Sequence, residues 1–397
     1  MLPVNNFNNC LFCQQDIIDG HWFIFAGCKD NTPVNLAQAF IRLFRYQNQI
    51  VLFQMRKCHL IALILLWSAG GFTQQKPIYT QYVLNNYIIN PAITGIENYT
   101  DVKISHRNQW TGIDGAPVTT YLSVQGPIGK KDYKTNATSF DVTGENPRGR
   151  SYVDEYTASA PHHGLGGIII TDKTGYLTRW GGYVTYAYHK GLSSRTTLSA
   201  GFLAGVTSVS LDASKIVWGA PGTEESLEFA YDNGLISKLR PEIGAGLWLY
   251  GADFYAGVSV LNIVPGKKSF IKDARYYDDF VPHFFTTAGY KFFLNDDLTL
   301  LPSVMLQYVQ PLPLQIYTNA KLQYQDKLWL GTSYRFGDEL GGFAAMAGVN
   351  ISNTFNIGYS YDVSTSSLRT YSRNTHEFIV GFLLGNRYGD FCPRNVW

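Results

Sequence analysis

A strict two-residue alternation recurs, segment after segment, from Val102 toward the end of the chain, and it limits the possible folds more than any other feature of the sequence. Successive side chains of a strand point to opposite faces, so a period of two marks a strand with two chemically different faces. In Glu242 to Tyr250, the apolar Ile243, Ala245, Leu247 and Leu249 alternate with Glu242, Gly244, Gly246 and Trp248. Leu198, Ala200, Phe202, Ala204 and Val206 alternate with Thr197, Ser199, Gly201 and Gly205. Phe355, Ile357, Tyr359 and Tyr361 oppose Asn356, Gly358, Ser360 and Asp362. No helical period competes with this pattern.

Such segments lie near 102–110, 119–126, 164–172, 177–189, 196–210, 240–250, 253–261, 283–293, 298–308, 314–324, 328–335, 341–351, 354–362 and 376–385. Their number, about fourteen, is even, as antiparallel closure in a membrane requires. The fold expected is therefore all-β: a transmembrane antiparallel β-barrel of about fourteen strands behind an N-terminal signal peptide. Composition agrees, with 38 Gly, 27 Tyr and 24 Phe among 397 residues and only 16% charged. A bundle of membrane helices is excluded, because each helix needs roughly 20 consecutive apolar residues. A soluble β-sandwich or barrel is the competing fold. Against it stand Trp180, Tyr188, Tyr250, Tyr308, Tyr334 and Tyr361 near strand ends, where interfacial aromatic girdles belong. The polar opposite face, with Glu242, Lys321, Arg335 and Glu377, suits a lumen better than a dry core, where each charge needs a partner.

Connection lengths support the same topology. The turns at 251–252, 295–297, 325–327 and 352–353 are tight, whereas 211–239, 262–282 and 363–375 are long, as periplasmic turns and outer loops should be. Residues 127–163 break the rule: a polar insert, centred on 130–162, on the expected periplasmic side, and a candidate partner surface.

At Met55 the sequence runs Arg56-Lys57, then apolar Leu60 to Trp67, then Ala69, Gly70 and Gly71, the layout of a secretory signal peptide. The expected organisation is thus 1–54 as an over-extended start or non-native leader, 55–74 as signal peptide, 75–101 as an N-terminal extension or plug, and 102–397 as barrel. Cys10, Cys13, Cys28 and Cys58 precede the mature part, leaving it only Cys392 and no internal disulfide framework.

Thirty-two basic against 30 acidic side chains give a net charge of +2, no footprint for nucleic acid. His162-His163 lacks a third ligand at metal spacing and reads as solvated loop histidine. His376-Glu377 points to opposite strand faces and cannot form an acid–base pair. Asp273, Asp278 and Asp279 lack calcium-loop spacing and read as a solvated outer loop. There is no GxSxG elbow and no phosphate-cradling glycine loop. No catalytic, cofactor-binding or metal-binding residue is assigned, and an enzyme is not expected.

Several blocks occur in one order along the mature chain: Gln75-Lys76-Pro77-Ile78-Tyr79-Thr80-Gln81-Tyr82, then Asn90-Pro91-Ala92 and Gly95, then Arg107-Asn108-Gln109-Trp110-Thr111-Gly112. Gly164-Leu165-Gly166, Asp172, Gly175 and Tyr186-Ala187-Tyr188 follow, then Trp329-Leu330-Gly331 with Tyr334-Arg335, Gly358 to Asp362, and His376-Glu377. In this order they resemble the PorP/SprF family of Bacteroidetes outer-membrane proteins. The resemblance implies an integral barrel of the Gram-negative outer membrane working in the type IX secretion system. It implies partners too: outer-membrane lipid, cargo with C-terminal sorting domains such as gliding adhesins, and the periplasmic lipoprotein ring of the machine. The segment 130–162 departs from the family pattern.

A role without catalysis can be built from an extension rich in Tyr, Asn and Pro that plugs the lumen or docks a partner. The expected element comprises Tyr79, Tyr82, Asn90 and Pro91, with Arg107, Trp110, Arg335, Asp362 and Glu377 as its polar and aromatic neighbours. The alternative for these residues is ordinary turn formation and barrel packing. The alternative for the protein is a diffusion channel or small-molecule transporter, which the number of strands does not exclude.

Overall fold

The computed structural model describes residues 15–18, 21–24, 80–130, 136–139, 156–212, 235–264, 266–267, 279–295, 297–310, 312–325, 327–336, 341–365 and 372–386. The chain divides into two units, Met1–Ala69 and Gly70–Trp397. Within the first, Gln15–Ile18 and His21–Ile24 form a two-stranded hairpin. The second is a closed barrel of fourteen antiparallel strands.

The strands are β1 Thr100–Asn108, β2 Val118–Ile128, β3 His162–Thr174, β4 Leu177–Gly191, β5 Thr197–Asp212, β6 Leu235–Tyr250 and β7 Phe254–Leu261. They continue as β8 His283–Tyr290, β9 Leu298–Val309, β10 Gln315–Tyr324, β11 Leu328–Phe336, β12 Gly342–Ser352, β13 Phe355–Ser364 and β14 Thr375–Leu384. Each pairs with its sequence neighbour, and β14 returns to β1 with His376 opposite Asn108 and Leu384 opposite Thr100, which closes the sheet. Closure leaves no terminal strand to template aggregation, although β6 extends beyond β7 and residues 235–242 pair with β5 alone among the described residues. Phe292–Phe293 extends β8 beyond Lys291 and pairs with β9.

Boundaries differ from the sequence pattern where local chemistry intervenes. β1 ends at Asn108 and not at 110, because Trp110 adopts φ 47, outside the strand region. β6 begins at Leu235, five residues before the alternation becomes legible, since Lys238, Arg240 and Pro241 interrupt the apolar pattern while the ladder to β5 runs on to Asp212 opposite Leu235. β3 begins at His162, two residues before the expected start.

The outward face is apolar and uncovered. Val184 is 61% exposed, Ile169 58% and Phe202 52%, and their strand neighbours Thr185, Ile168 and Leu203 are buried inside. An apolar belt of this kind is stable only against lipid tails. Exposed aromatics flank it: Trp180, Tyr308, Tyr334 and Tyr361 toward the end where β3 meets β4, and Tyr188, Tyr290 and Tyr324 toward the opposite end. Tyr250 is not part of the girdle. It shares the face of Glu242 and Trp248, is buried, and hydrogen-bonds His189 inside the barrel.

The core lies within the barrel. Residues 80–99 run through the lumen as three short 3-10 turns, Thr80–Leu84, Asn86–Ile88 and Pro91–Ile93. Tyr82, Val83, Tyr87, Ile89, Ala92, Ile93 and Ile96 pack there against Ile168, Leu203, Trp248 and Tyr255 of the wall.

Candidate functional site

The lumen and the segment that fills it hold the buried polar groups whose arrangement carries information about function. The local sequence explains the shape of the segment. Asn90 caps the third turn, its Oδ1 accepting from Ala92 N at 2.9 Å, and Pro91 occupies the first helical position, where its missing N–H costs nothing. Turns this short leave most backbone carbonyls unsatisfied, and a carbonyl buried without a donor is expensive. The barrel wall supplies the donors. Ser199 Oγ of β5 donates to Ala92 O at 2.6 Å, and Ser259 Oγ of β7 donates to Ile89 O at 2.6 Å. The Asn90 amide donates in turn to Leu247 O at 3.1 Å and Val258 O at 3.2 Å, the carbonyls of a cross-strand pair in β6 and β7.

Other side chains of the segment reach further round the wall. Asn85 Nδ2 donates to Ser123 Oγ of β2 at 3.0 Å, and Tyr87 OH meets Thr185 Oγ1 of β4 at 2.6 Å. Tyr82 OH accepts from the Asn319 amide of β10, and its ring meets Tyr317 edge-on with centroids 6.4 Å apart. Burial pushes the hydroxyls of Tyr82 and Tyr87 well above the ordinary tyrosine range, so both remain neutral hydrogen-bonding groups.

A pair of histidines grips the end of the segment. His162 and His189 stack with centroids 4.5 Å apart and an interplanar angle of 3°. His189 Nε2 lies 2.8 Å from Thr94 O, and a carbonyl only accepts, so this nitrogen carries the proton and Nδ1 accepts from Tyr250 OH at 3.0 Å. His162 sets Nε2 3.2 Å from Gly95 O and Nδ1 2.8 Å from Ala160 O. The expectation of solvated loop histidines is therefore overturned for His162, which is a buried strand residue; His163 alone faces outward, with Nδ1 2.6 Å from Tyr186 OH. Parity would have revealed the difference, because His162 shares the face of Gly164, Gly166 and Ile168.

Glycine permits the closest approaches. A Cβ on Gly164 would stand 1.8 Å from Thr94 O, and one on Gly201 would stand 2.5 Å from Pro91 O. Any side chain at either place would meet the backbone of the segment.

The expected neighbours fall into three groups. Arg107, Asp362 and Glu377 form one buried cluster, with Nη2 2.7 Å from Asp362 Oδ2 and Nη1 2.8 Å from Glu377 Oε2. Two carboxylates forking one guanidinium is a strong, directional arrangement, and Ser360 Oγ adds a 2.8 Å bond to Asp362. Arg335 reaches the segment indirectly: its guanidinium lies 5.8 Å from the centroid of Tyr317, which packs on Tyr82. Trp110 stands apart at the β1–β2 turn, where its backbone N–H donates to Thr375 Oγ1 at 3.1 Å; among the described residues no hydrogen bond joins it to the segment. Tyr82, Asn90 and Pro91 lie in the lumen, and Tyr79 falls outside the described residues. So do Cys10, Cys13, Cys392, Asp273 and Asp278.

The polar insert has footholds in two of its described stretches: Ala158 N donates to Ser194 O at 2.7 Å in the β4–β5 turn, and 136–139 meets the luminal segment. Asn136 Nδ2 and Ser139 Oγ donate to the Glu97 carboxylate at 3.3 and 2.6 Å, and Lys130 Nζ donates to Ile96 O at 2.6 Å, which ties the insert to the end of the luminal segment. Among the described residues no group of His, Cys, Asp and Glu could hold a metal ion.

Comparison with known proteins bears on what such a barrel is. Solved barrels similar to it include the KdgM porin, with 10% identity over 71% of this chain and 98% of that one and a TM-score of 0.28. The CymD monoaromatic hydrocarbon channel has 10% identity over 79% and 94% and a TM-score of 0.40. Salmonella typhi OmpF in complex with daunomycin has 11% identity over 72% and 95% and a TM-score of 0.31. No curated protein sequence matches the chain. Residues 71–382, which span the luminal segment and nearly the whole barrel, match the model of the type IX secretion system membrane protein PorP/SprF. A closed fourteen-stranded barrel with an apolar belt, matched over that length, is an integral outer-membrane protein, and the chain belongs to the PorP/SprF family of type IX secretion system membrane proteins.

Proposed function

We propose that this protein supports the export or surface anchoring of cargo proteins with C-terminal sorting domains, including gliding adhesins, and that it does so by binding rather than catalysis. The observation that carries this reading is the filled lumen: a segment hydrogen-bonded to strands around the barrel suits a holding device better than a conduit. The periplasmic lipoprotein ring of the secretion machine is the partner proposed at the end where β1 begins and β14 finishes, and the insert rooted on Glu97 is the surface it would meet. Surface and medium proteomics of a deletion strain beside its complemented parent tests the role. One or more sorting-domain proteins should vanish from the surface while their precursors accumulate in the periplasm. Normal display of all of them would remove the export role and leave the diffusion-channel reading, for which planar-bilayer conductance is the direct measurement.

A further inference from the structure

Between the luminal segment and the end where β3 turns into β4 lies a cavity continuous with solvent. Tyr82, Ile88 and Ile89 of the segment line it on one side, so a ligand entering from the opposite end meets a closed floor. Leu203, Phe285 and Met305 make the wall mainly apolar, and the rings of Tyr121, Tyr183 and Tyr317 add polarizable faces.

One side of the wall is different. Asp172 at the end of β3, Arg179 in β4 and Glu242 in β6 line the same cavity. Both carboxylates are fixed by hydroxyls: Thr119 Oγ1 donates to Asp172 Oδ1 at 2.6 Å, while Tyr183 OH and Thr207 Oγ1 donate to Glu242 Oε2 at 2.9 and 2.7 Å. Arg179 sits beside them, its Nη2 3.5 Å from Glu242 Oε2. Two acids and one base line this wall, which favours a cation, and aromatic faces nearby favour it further. None of these groups takes part in holding the segment through the hydrogen bonds described above.

We propose that this cavity is a binding pocket for an apolar or aromatic side chain next to a positively charged one, presented by a polypeptide that enters from the end where β3 meets β4. The choice of a polypeptide rests on the reading that the protein holds secreted cargo. The pocket chemistry itself does not depend on that reading.

The test uses the purified full-length protein in lipid nanodiscs and calorimetric titration with a capped hexapeptide containing Phe-Arg between Gly and Ser residues. The same peptide with Phe-Glu and the small amine phenethylamine are the comparison probes. The Phe-Arg peptide should bind roughly tenfold tighter than the Phe-Glu peptide, since a partly buried charge pair decides between them. Asp172→Asn should narrow that difference, and Leu203→Trp should abolish binding by filling the cavity. Electrophoretic mobility before and after heating checks that each variant forms a barrel, and Asp172→Asn carries the test alone if Leu203→Trp does not assemble. Equal affinity for the two peptides, or binding indifferent to the variants that assemble, overturns the proposal. Phenethylamine binding as tightly as the peptide overturns the polypeptide part and assigns the pocket to small amines. If the deletion strain displays all cargo normally while the Phe-Arg peptide still binds selectively, the secretion role fails and the pocket stands.

Discussion

At the scale of single residues, the lumen is built from positions where one atom more or less has a large effect. Gly164 leaves room for the carbonyl of Thr94, and its replacement by Ala would place a methyl group 1.8 Å from that oxygen. Overpacking of this kind costs typically ~1–3 kcal/mol, and here the atom met is backbone, which cannot swing aside. Gly164→Ala should therefore lower the temperature at which the barrel loses its heat-modifiable mobility, whereas Gly182→Ala, with nothing within 4 Å of the added carbon, should leave it unchanged. Arg107 poses the opposite case. Its guanidinium is buried between Asp362 and Glu377, and Arg107→Met would leave two carboxylates without their cation. Removing one partner from a buried ionic cluster costs ~3–5 kcal/mol, so this variant should unfold at markedly lower urea concentration in lipid vesicles. Were Arg107→Met as stable as the parent, the cluster would be no determinant of the barrel.

At the scale of elements, the luminal segment is held by side chains that come from distant strands, and its stability is a tertiary property. Asn90 ties the segment down, accepting from Ala92 N within it and donating to the carbonyls of Leu247 and Val258 on the wall. Asn90→Ala leaves those carbonyls without the amide and removes the cap, which together should cost ~1–3 kcal/mol. Hydrogen exchange followed by mass spectrometry should show faster exchange across 82–96 with the strand amides of β11 and β12 unaffected. A uniform change over all strands would mean that the segment and barrel unfold as one unit. Elements also explain which parts of the pattern could be read in advance. The alternation in β5, β7 and β13 is clean because each strand has one lipid face and one luminal face. It fails at the start of β6, where Lys238, Arg240 and Pro241 are governed by the extended hairpin with β5, not by the membrane.

At the scale of the whole molecule, closure and the apolar belt determine where the protein resides. Val184 lies midway along β4 and faces lipid, so Val184→Arg should cost ~2–4 kcal/mol of barrel stability, measured by reversible urea unfolding in vesicles. The same change at an interfacial position such as Tyr188 should cost about 1 kcal/mol or less.

The sequence by itself determined the fold class, the strand number and the family, because a period of two repeated through the chain has few other solutions and ordered motifs survive as a linear record. It marked Tyr82, Asn90, Arg107, Asp362 and Glu377 as candidates through residue type and neighbourhood. Only the tertiary structure decided that Arg107 forks Asp362 and Glu377 and that Trp110 stands apart from them. It alone showed that His162 and His189 close over Thr94 and Gly95, and that Tyr250 faces inward. The physical reason is that alternation assigns a side chain to a face but says nothing about what lies across the lumen from it. Closure brings β1 beside β14 and encloses residues 80–99 in the lumen, and those contacts join positions far apart in the chain.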